Sequence, residues 1–163
     1  VSRIPALGPR GEGWVALQAA AIALVILAGR VGAPVAIDDD SLQGLTAVIG
    51  NLFVVAGLLV ILVAAAVLRS GGAFTVFPRP IPGGQLVESG PFRFVRHPVY
   101  TGLIVAAFGS MLVRPSLLSL LAAALIFVVL DLKRRREEEW LHEQYPGYAA
   151  YRTRTKALIP WIY

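Results

Sequence analysis

The sequence predicts an all-α integral membrane bundle of about four transmembrane helices, with a cytoplasmic loop and a C-terminal helical tail. Three observations predict it. Of the 163 residues, 56% are hydrophobic, against about 45–50% in an ordinary soluble domain. The mean hydropathy is +0.69, and the excess is gathered into four blocks, as a bilayer requires. The net charge of +5 sits between those blocks, an arrangement of topology signals and not of a nucleic-acid-binding face.

The length suits one domain, 1–163. Cysteine is absent, which excludes disulfides, thiolate metal sites and cysteine nucleophiles. Two histidines, His97 and His142, are too few for a histidine-built metal centre.

Residues 1–68 carry the first two spans. The first apolar block runs from Trp14 to Gly29 and could continue towards Ile37. It lacks the charged start and cleavage site of a leader, so it is expected to persist as a helix. The second, Leu45 to Leu68, contains no charged residue and meets the roughly 20 apolar residues a span needs. Residues 69–97 form a long connection in which "PRPIPGG" alone holds three prolines and two glycines. Loops of this length are functional or disordered, and Phe74, Phe77, Phe92 and Phe94 argue that this one packs onto the bundle. Residues 98–132 read as a helical hairpin, with blocks from Val99 to Val113 and from Ser116 to Leu132. In the "VRPS" turn between them Pro115 breaks one helix and Ser116 caps the next. The tail, 133–163, continues the fourth helix into water, breaks near Pro146 and ends in aromatics suited to a membrane interface.

Loop charge sets the orientation. The first connection holds Arg30 against Asp38, Asp39 and Asp40, whereas the second holds Arg69, Arg79, Arg93 and Arg96 against Glu88. The tail opens with "KRRR". Positive charge stays inside, so the second connection, the tail and both termini are expected in the cytoplasm, in agreement with Arg3 and Arg10.

Two stretches could carry chemistry. In "RHPVYTG", Pro98 suits the first helical position and leaves His97 just outside the helix start. Unpaired N–H groups there favour anions, and Arg96 and His97 reinforce them. Gly102, Ala106 and Gly109 share one helical face, which lets a partner helix or a ligand approach closely. The plainer reading is a set of topology anchors on an ordinary helix start. In "KRRREEEWL", Lys133–Glu137, Arg134–Glu138 and Arg135–Glu139 have i,i+4 spacing. Their plainer reading is a solvated charged face. Tyr145, Tyr148, Tyr151, Trp140 and Trp161 fit an interfacial belt, with Tyr148 and Tyr151 as candidates for acceptor binding. The short hairpin brings the "RHP" and "EE" ends together. Positive and negative groups then meet in one pocket suited to a zwitterion with an aromatic part.

Together the stretches "GPFRFVRHPVYTG", "EEEWL" and "YPGYAAYRTRTKALIP" resemble the isoprenylcysteine carboxyl methyltransferase family and its bacterial and archaeal relatives, over roughly Phe77 to Tyr163. Phospholipid methyltransferases resemble the chain more loosely, through the paired glutamates. The resemblance implies S-adenosylmethionine as methyl donor. It implies Arg96, His97 and Pro98 at the cofactor's carboxylate region, Tyr100 and Gly102 along its groove, and Glu137 and Glu138 at its amino or ribose groups. Tyr145-Pro146 departs from the family's Phe-Gly. Three consecutive glutamates leave the functional pair open between 137/138 and 138/139. The expected partners are the bilayer and a lipophilic or small-molecule methyl acceptor, a carboxylate, thiol or amine. The absence of a base outside the cofactor-binding set favours an acceptor that is already anionic. The Cys-free, Ala/Val/Arg-rich composition points to a bacterial inner membrane. Two alternatives remain: a membrane reductase of sterol-reductase type using NAD(P)H, which normally has more spans, and a non-catalytic lipid-binding protein.

Overall fold

The computed structural model describes residues 4–35 and 39–163. Arg3, Ile37 and Asp38, which entered the charge and span readings, lie outside the described residues. Among those described there are five α-helices: α1 (Glu12–Val31), α2 (Asp40–Ser70), α3 (Pro98–Val113), α4 (Leu117–Gln144) and α5 (Tyr148–Arg154), with a 3₁₀ turn at Gly90–Arg93.

Local sequence sets the helix ends. The Asp39 carboxylate accepts from Ser41 N at 2.8 Å and Leu42 N at 3.2 Å, so this acidic residue caps α2. Ser116 caps α4 in a reciprocal box with Ser119. Pro98 occupies the first position of α3, with His97 as its N-cap residue. At the other end, α4 runs well past the apolar block and stops at Tyr145, just before Pro146.

The closest helix contact joins α2 to α3. Gly50 and Gly57 of α2 lie opposite Gly109 and Gly102 of α3. A Cβ on Gly102 would come within 2.6 Å of the Gly57 carbonyl oxygen, and one on Gly50 within 2.7 Å of the Gly109 oxygen. Small residues at these positions let the two backbones touch. Gly102 therefore serves the packing of α3 on α2. The other half of the core joins α1, α3 and α4 to the tail, through Ala21, Tyr100, Ile126, Leu130 and Leu158.

The outer surface is apolar. Only 17% of the most apolar stretch of α1 and 11% of that of α2 are buried within the protein. Leu52, Leu59 and Leu62 stand more than half exposed. A soluble protein would not leave such a surface in water; α1 and α2 are long and apolar enough to cross a bilayer.

The tail returns to the start of α3. Residues 94–97 pair with 156–157 in a short parallel bridge, where Arg96 N donates to Lys156 O at 2.8 Å and His97 N to Ala157 O at 3.1 Å. Thr101 Oγ1 donates to Leu158 O at 2.6 Å. The 69–97 loop packs as its aromatics predict at Phe92, which is buried, whereas Phe74 and Phe94 are exposed. Arg79 donates to Pro9 O at 2.9 Å, and Gln144 to Ile81 O at 2.7 Å. These bonds tie the loop to the N-terminal segment and to the end of α4.

Candidate functional site

A cavity of about 390 Å³ lies where α3 begins and α4 ends, within the ~300–1,000 Å³ common for small-molecule sites. The loop roofs it with Phe74, Phe77 and Leu86. The first two helices wall it with Ala19, Ile22, Ile61 and Ala65. Its polar lining includes Gln18, Arg96, His97, Tyr100, Lys133, Glu137, Tyr148 and Tyr151, with Thr75, Gln85 and Tyr145 towards the loop side. The "RHP" and "EE" stretches thus meet, as the hairpin topology predicts.

The three glutamates have three different surroundings, because successive helical residues point about 100° apart. Glu138 turns towards the tail. Its Oε1 accepts from Arg96 Nε at 3.0 Å and His97 Nε2 at 3.2 Å and lies 3.6 Å from Arg134, while its Oε2 lies 3.7 Å from Arg152. Burial pushes the Glu138 carboxyl up, but the hydrogen bond and charge of His97, together with Arg96, outweigh it and hold the pKa at about 2. Glu138 does not line the cavity; it fixes two residues that do. Arg96 is secured further by Thr155 O at 2.5 Å and Arg152 O at 3.3 Å. Glu137 faces the cavity and accepts from Tyr100 OH at 2.5 Å. Its Oε2 lies 3.9 Å from His97 Nδ1. Glu139 turns aside to Arg136, 2.5 Å away.

The His97 and Tyr100 rings stack, 5.3 Å apart and 2° from parallel. With Glu138 ionised, His97 Nε2 must carry the hydrogen that bonds it. Tyr151 donates to Phe92 O at 2.6 Å, which ties α5 to the 3₁₀ turn. Tyr148 differs: it is 1% exposed, yet its hydroxyl has no hydrogen-bond partner among the described residues. Burial, reinforced by Glu138, pushes its pKa far up, so the phenol keeps its proton and remains a donor. Buried polar groups are normally paired, and this one sits in the cavity wall.

Lys133 has a different role from the one its spacing suggests. Spacing predicts a solvated pair with Glu137. Instead the residue is 2% exposed and its ammonium donates to Gln18 Oε1 of α1 at 2.6 Å. Arg135 likewise pairs with Asp131 at 2.8 Å and not with Glu139. Sequence reasoning missed Gln18 as a cavity residue, because a single glutamine in an apolar helix gives no signal of its partner.

No curated protein and no solved structure matches the chain. The family model described as phospholipid methyltransferase matches residues 45–147, well over half of the sequence. The match takes in α2, which the sequence motifs left as an unspecific apolar helix, and both the "RHP" and the "EE" stretches. Apolar helices too exposed for water, a cavity with charged side chains at their end and this match, which takes in most of the residues that build it, agree: the chain belongs to the phospholipid methyltransferase family of membrane methyltransferases.

Proposed function

We propose that the protein is an integral membrane methyltransferase that uses S-adenosylmethionine and methylates a lipid-like acceptor drawn from the bilayer. Four helices, α1 to α4, cross the membrane, with both termini and the cavity on the cytoplasmic side, where the basic loop and tail lie. The 16 residues of α3 rise about 24 Å, less than the ~30 Å hydrocarbon core. The bundle therefore resides where the bilayer is locally thin, and a bacterial inner membrane suits its composition.

The observation that carries this reading is the donor set of the cavity. A ligand with a cationic centre, hydroxyls and a carboxylate finds a free carboxylate oxygen at Glu137, an unpaired phenol at Tyr148, and the Arg96 guanidinium beside the His97 ring. These residues fit S-adenosylmethionine. The cofactor supplies a methyl group made electrophilic by its sulfonium. Glu137 would hold amino or ribose groups, and the stacked Tyr100 keeps that carboxylate oriented. Arg96, His97 and Pro98 would bind around the carboxylate region. Glu138 acts through Arg96 and His97. Tyr148 and Tyr151 wall the side next to α5, where Tyr148 would donate to cofactor or acceptor. The roof loop keeps water out, and alignment in a dry site is most of what methyl transfer demands.

Isothermal titration of the detergent-solubilised chain with S-adenosylhomocysteine and with NADPH tests the cofactor. S-adenosylhomocysteine is expected to bind and NADPH is not. Labelled methyl transfer into a lipid extract then tests the activity. Binding of NADPH alone would replace this reading with a reductase, and binding of neither with a non-catalytic protein.

A further inference from the structure

One buried charge remains unused. Lys133 is 2% exposed and lines the cavity. An ammonium has three donors, and among the described residues only Gln18 Oε1 takes one, at 2.6 Å. The Tyr100 ring centroid lies 5.2 Å from Nζ. A buried ammonium is costly unless paired. The nearby carboxylate, Glu137, is already engaged by Tyr100 and is the group offered to the cofactor. The next carboxylate, Glu138, lies outside the cavity, behind Arg96 and His97.

Lys133 stands beside the Tyr100 ring but reaches to the α1 side of the cavity. It precedes Glu137 by one turn of α4, about 6 Å nearer the hairpin turn and therefore deeper in the bilayer. Its surroundings are the apolar wall of α1, with Val15, Ala19 and Ile22. Its hydrogen-bond partner lies in α1, outside the 45–147 match.

We propose that Lys133, oriented by Gln18, is the anion-anchoring residue of the acceptor subsite, so that the acceptor is an amphiphile bearing a carboxylate or phosphate. The inference rests on the methyltransferase reading for the word acceptor, but the anion site itself does not. The ammonium takes the anionic group with its two remaining donors, and the apolar wall takes the chain. A buried cation equally rejects a ligand whose head is a bare ammonium.

The test uses the full chain in neutral detergent, with palmitate, dodecyl phosphate and dodecylamine as ligands. Affinities are measured with and without S-adenosylhomocysteine, for the wild type, Lys133→Gln and Lys133→Arg, after circular dichroism has shown each variant folded. A charge-assisted hydrogen bond is worth about 10- to 100-fold in affinity. Palmitate, dodecyl phosphate or both are expected to lose that factor in Lys133→Gln and to keep most of it in Lys133→Arg. Dodecylamine should bind the wild type weakly and gain in Lys133→Gln. A preference for palmitate or for dodecyl phosphate identifies which anion the subsite takes. Equal affinity of wild type and Lys133→Gln for both anions overturns the proposal. So does a fall in S-adenosylhomocysteine affinity in Lys133→Gln, which would make the lysine a cofactor contact. If Lys133→Gln does not fold, Gln18→Leu serves in its place, and unchanged anion affinity there counts against the proposal. Failure of the wild type to bind S-adenosylhomocysteine refutes the methyltransferase reading alone, since the anion affinities are read without it.

Discussion

Glu138→Gln isolates the carboxylate that organises the site. The substitution keeps the volume and removes the charge that faces Arg96, His97, Arg134 and Arg152. The folded-state pKa of about 2, against an ordinary 4.5, corresponds to about 3 kcal/mol of stability at neutral pH. Removing one partner from a buried ion pair costs roughly 3–5 kcal/mol, so two independent routes agree. The sign follows from the depressed pKa. The stabilisation is complete above pH about 4.5, declines as pH falls towards about 2, and is absent below that. The assay is thermal unfolding of both proteins in detergent, by intrinsic fluorescence, from pH 7 down to 3. At pH 7 the variant should melt roughly 6–12 °C lower, on the scale of soluble domains of this size. The gap should narrow steadily below pH 4.5, because the carboxylate of the unfolded wild-type chain then binds a proton that the folded chain, with its pKa of about 2, does not. A gap that stays constant from pH 7 to 3, or none at pH 7, would refute the assignment of Glu138 as the buried counter-ion of Arg96 and His97.

Three further outcomes are expected. Tyr148→Phe removes an unpaired buried hydroxyl, so the ligand-free protein should melt at the same temperature or higher, while its S-adenosylhomocysteine affinity or acceptor KM worsens; Tyr151→Phe, which loses the bond to Phe92 O, should instead cost about 1–2 kcal/mol of stability. Gly57→Ala forces a Cβ against the α3 backbone at Gly102 and Ala106 and should destabilise by about 1–3 kcal/mol. Gly44→Ala in the same helix meets nothing within 4 Å and should leave the melting temperature level or raise it; equal effects at the two sites would contradict the close α2–α3 contact. Tyr100→Phe frees Glu137 from its hydroxyl partner and should weaken S-adenosylhomocysteine binding about tenfold by calorimetry, with a fall in melting temperature at least as large as that of Tyr151→Phe.

Local signals were legible in the sequence and pairings at a distance were not. The apolar blocks locate α1 to α4, because hydrophobic length is a one-dimensional property. Pro98 and Ser116 mark the starts of α3 and α4 for the same reason: a missing N–H and a capping hydroxyl act within one turn. The helix ends were less legible. Asp39 reads as loop charge until its side chain is found on Ser41 N and Leu42 N. Lys133 reads as a solvated i,i+4 partner of Glu137. Its real partner, Gln18, is 115 residues away, and no spacing rule reaches that far. The face shared by Gly102 and Gly109 allowed either a helix or a ligand, and only the opposed Gly57 and Gly50 decide for a helix.

The glutamate run shows why the site needed the fold and not only the motif. Three identical residues in a row have identical propensity and charge, so their roles differ only through what each helical direction meets. One direction meets Tyr100 and the cavity, the next meets Arg96 and the tail, and the third meets Arg136. The second role exists because residues 155–158 come back beside 94–97 and bring carbonyl groups to the Arg96 guanidinium. With that positive cluster balanced from behind by Glu138, the cavity keeps one anion at Glu137 and one cation at Lys133, a turn apart on α4. In the topology proposed above, this arrangement separates charge along the membrane normal. The carboxylate near the surface would suit the proposed cationic cofactor, and the ammonium deeper in the bilayer an anion carried by a lipid chain.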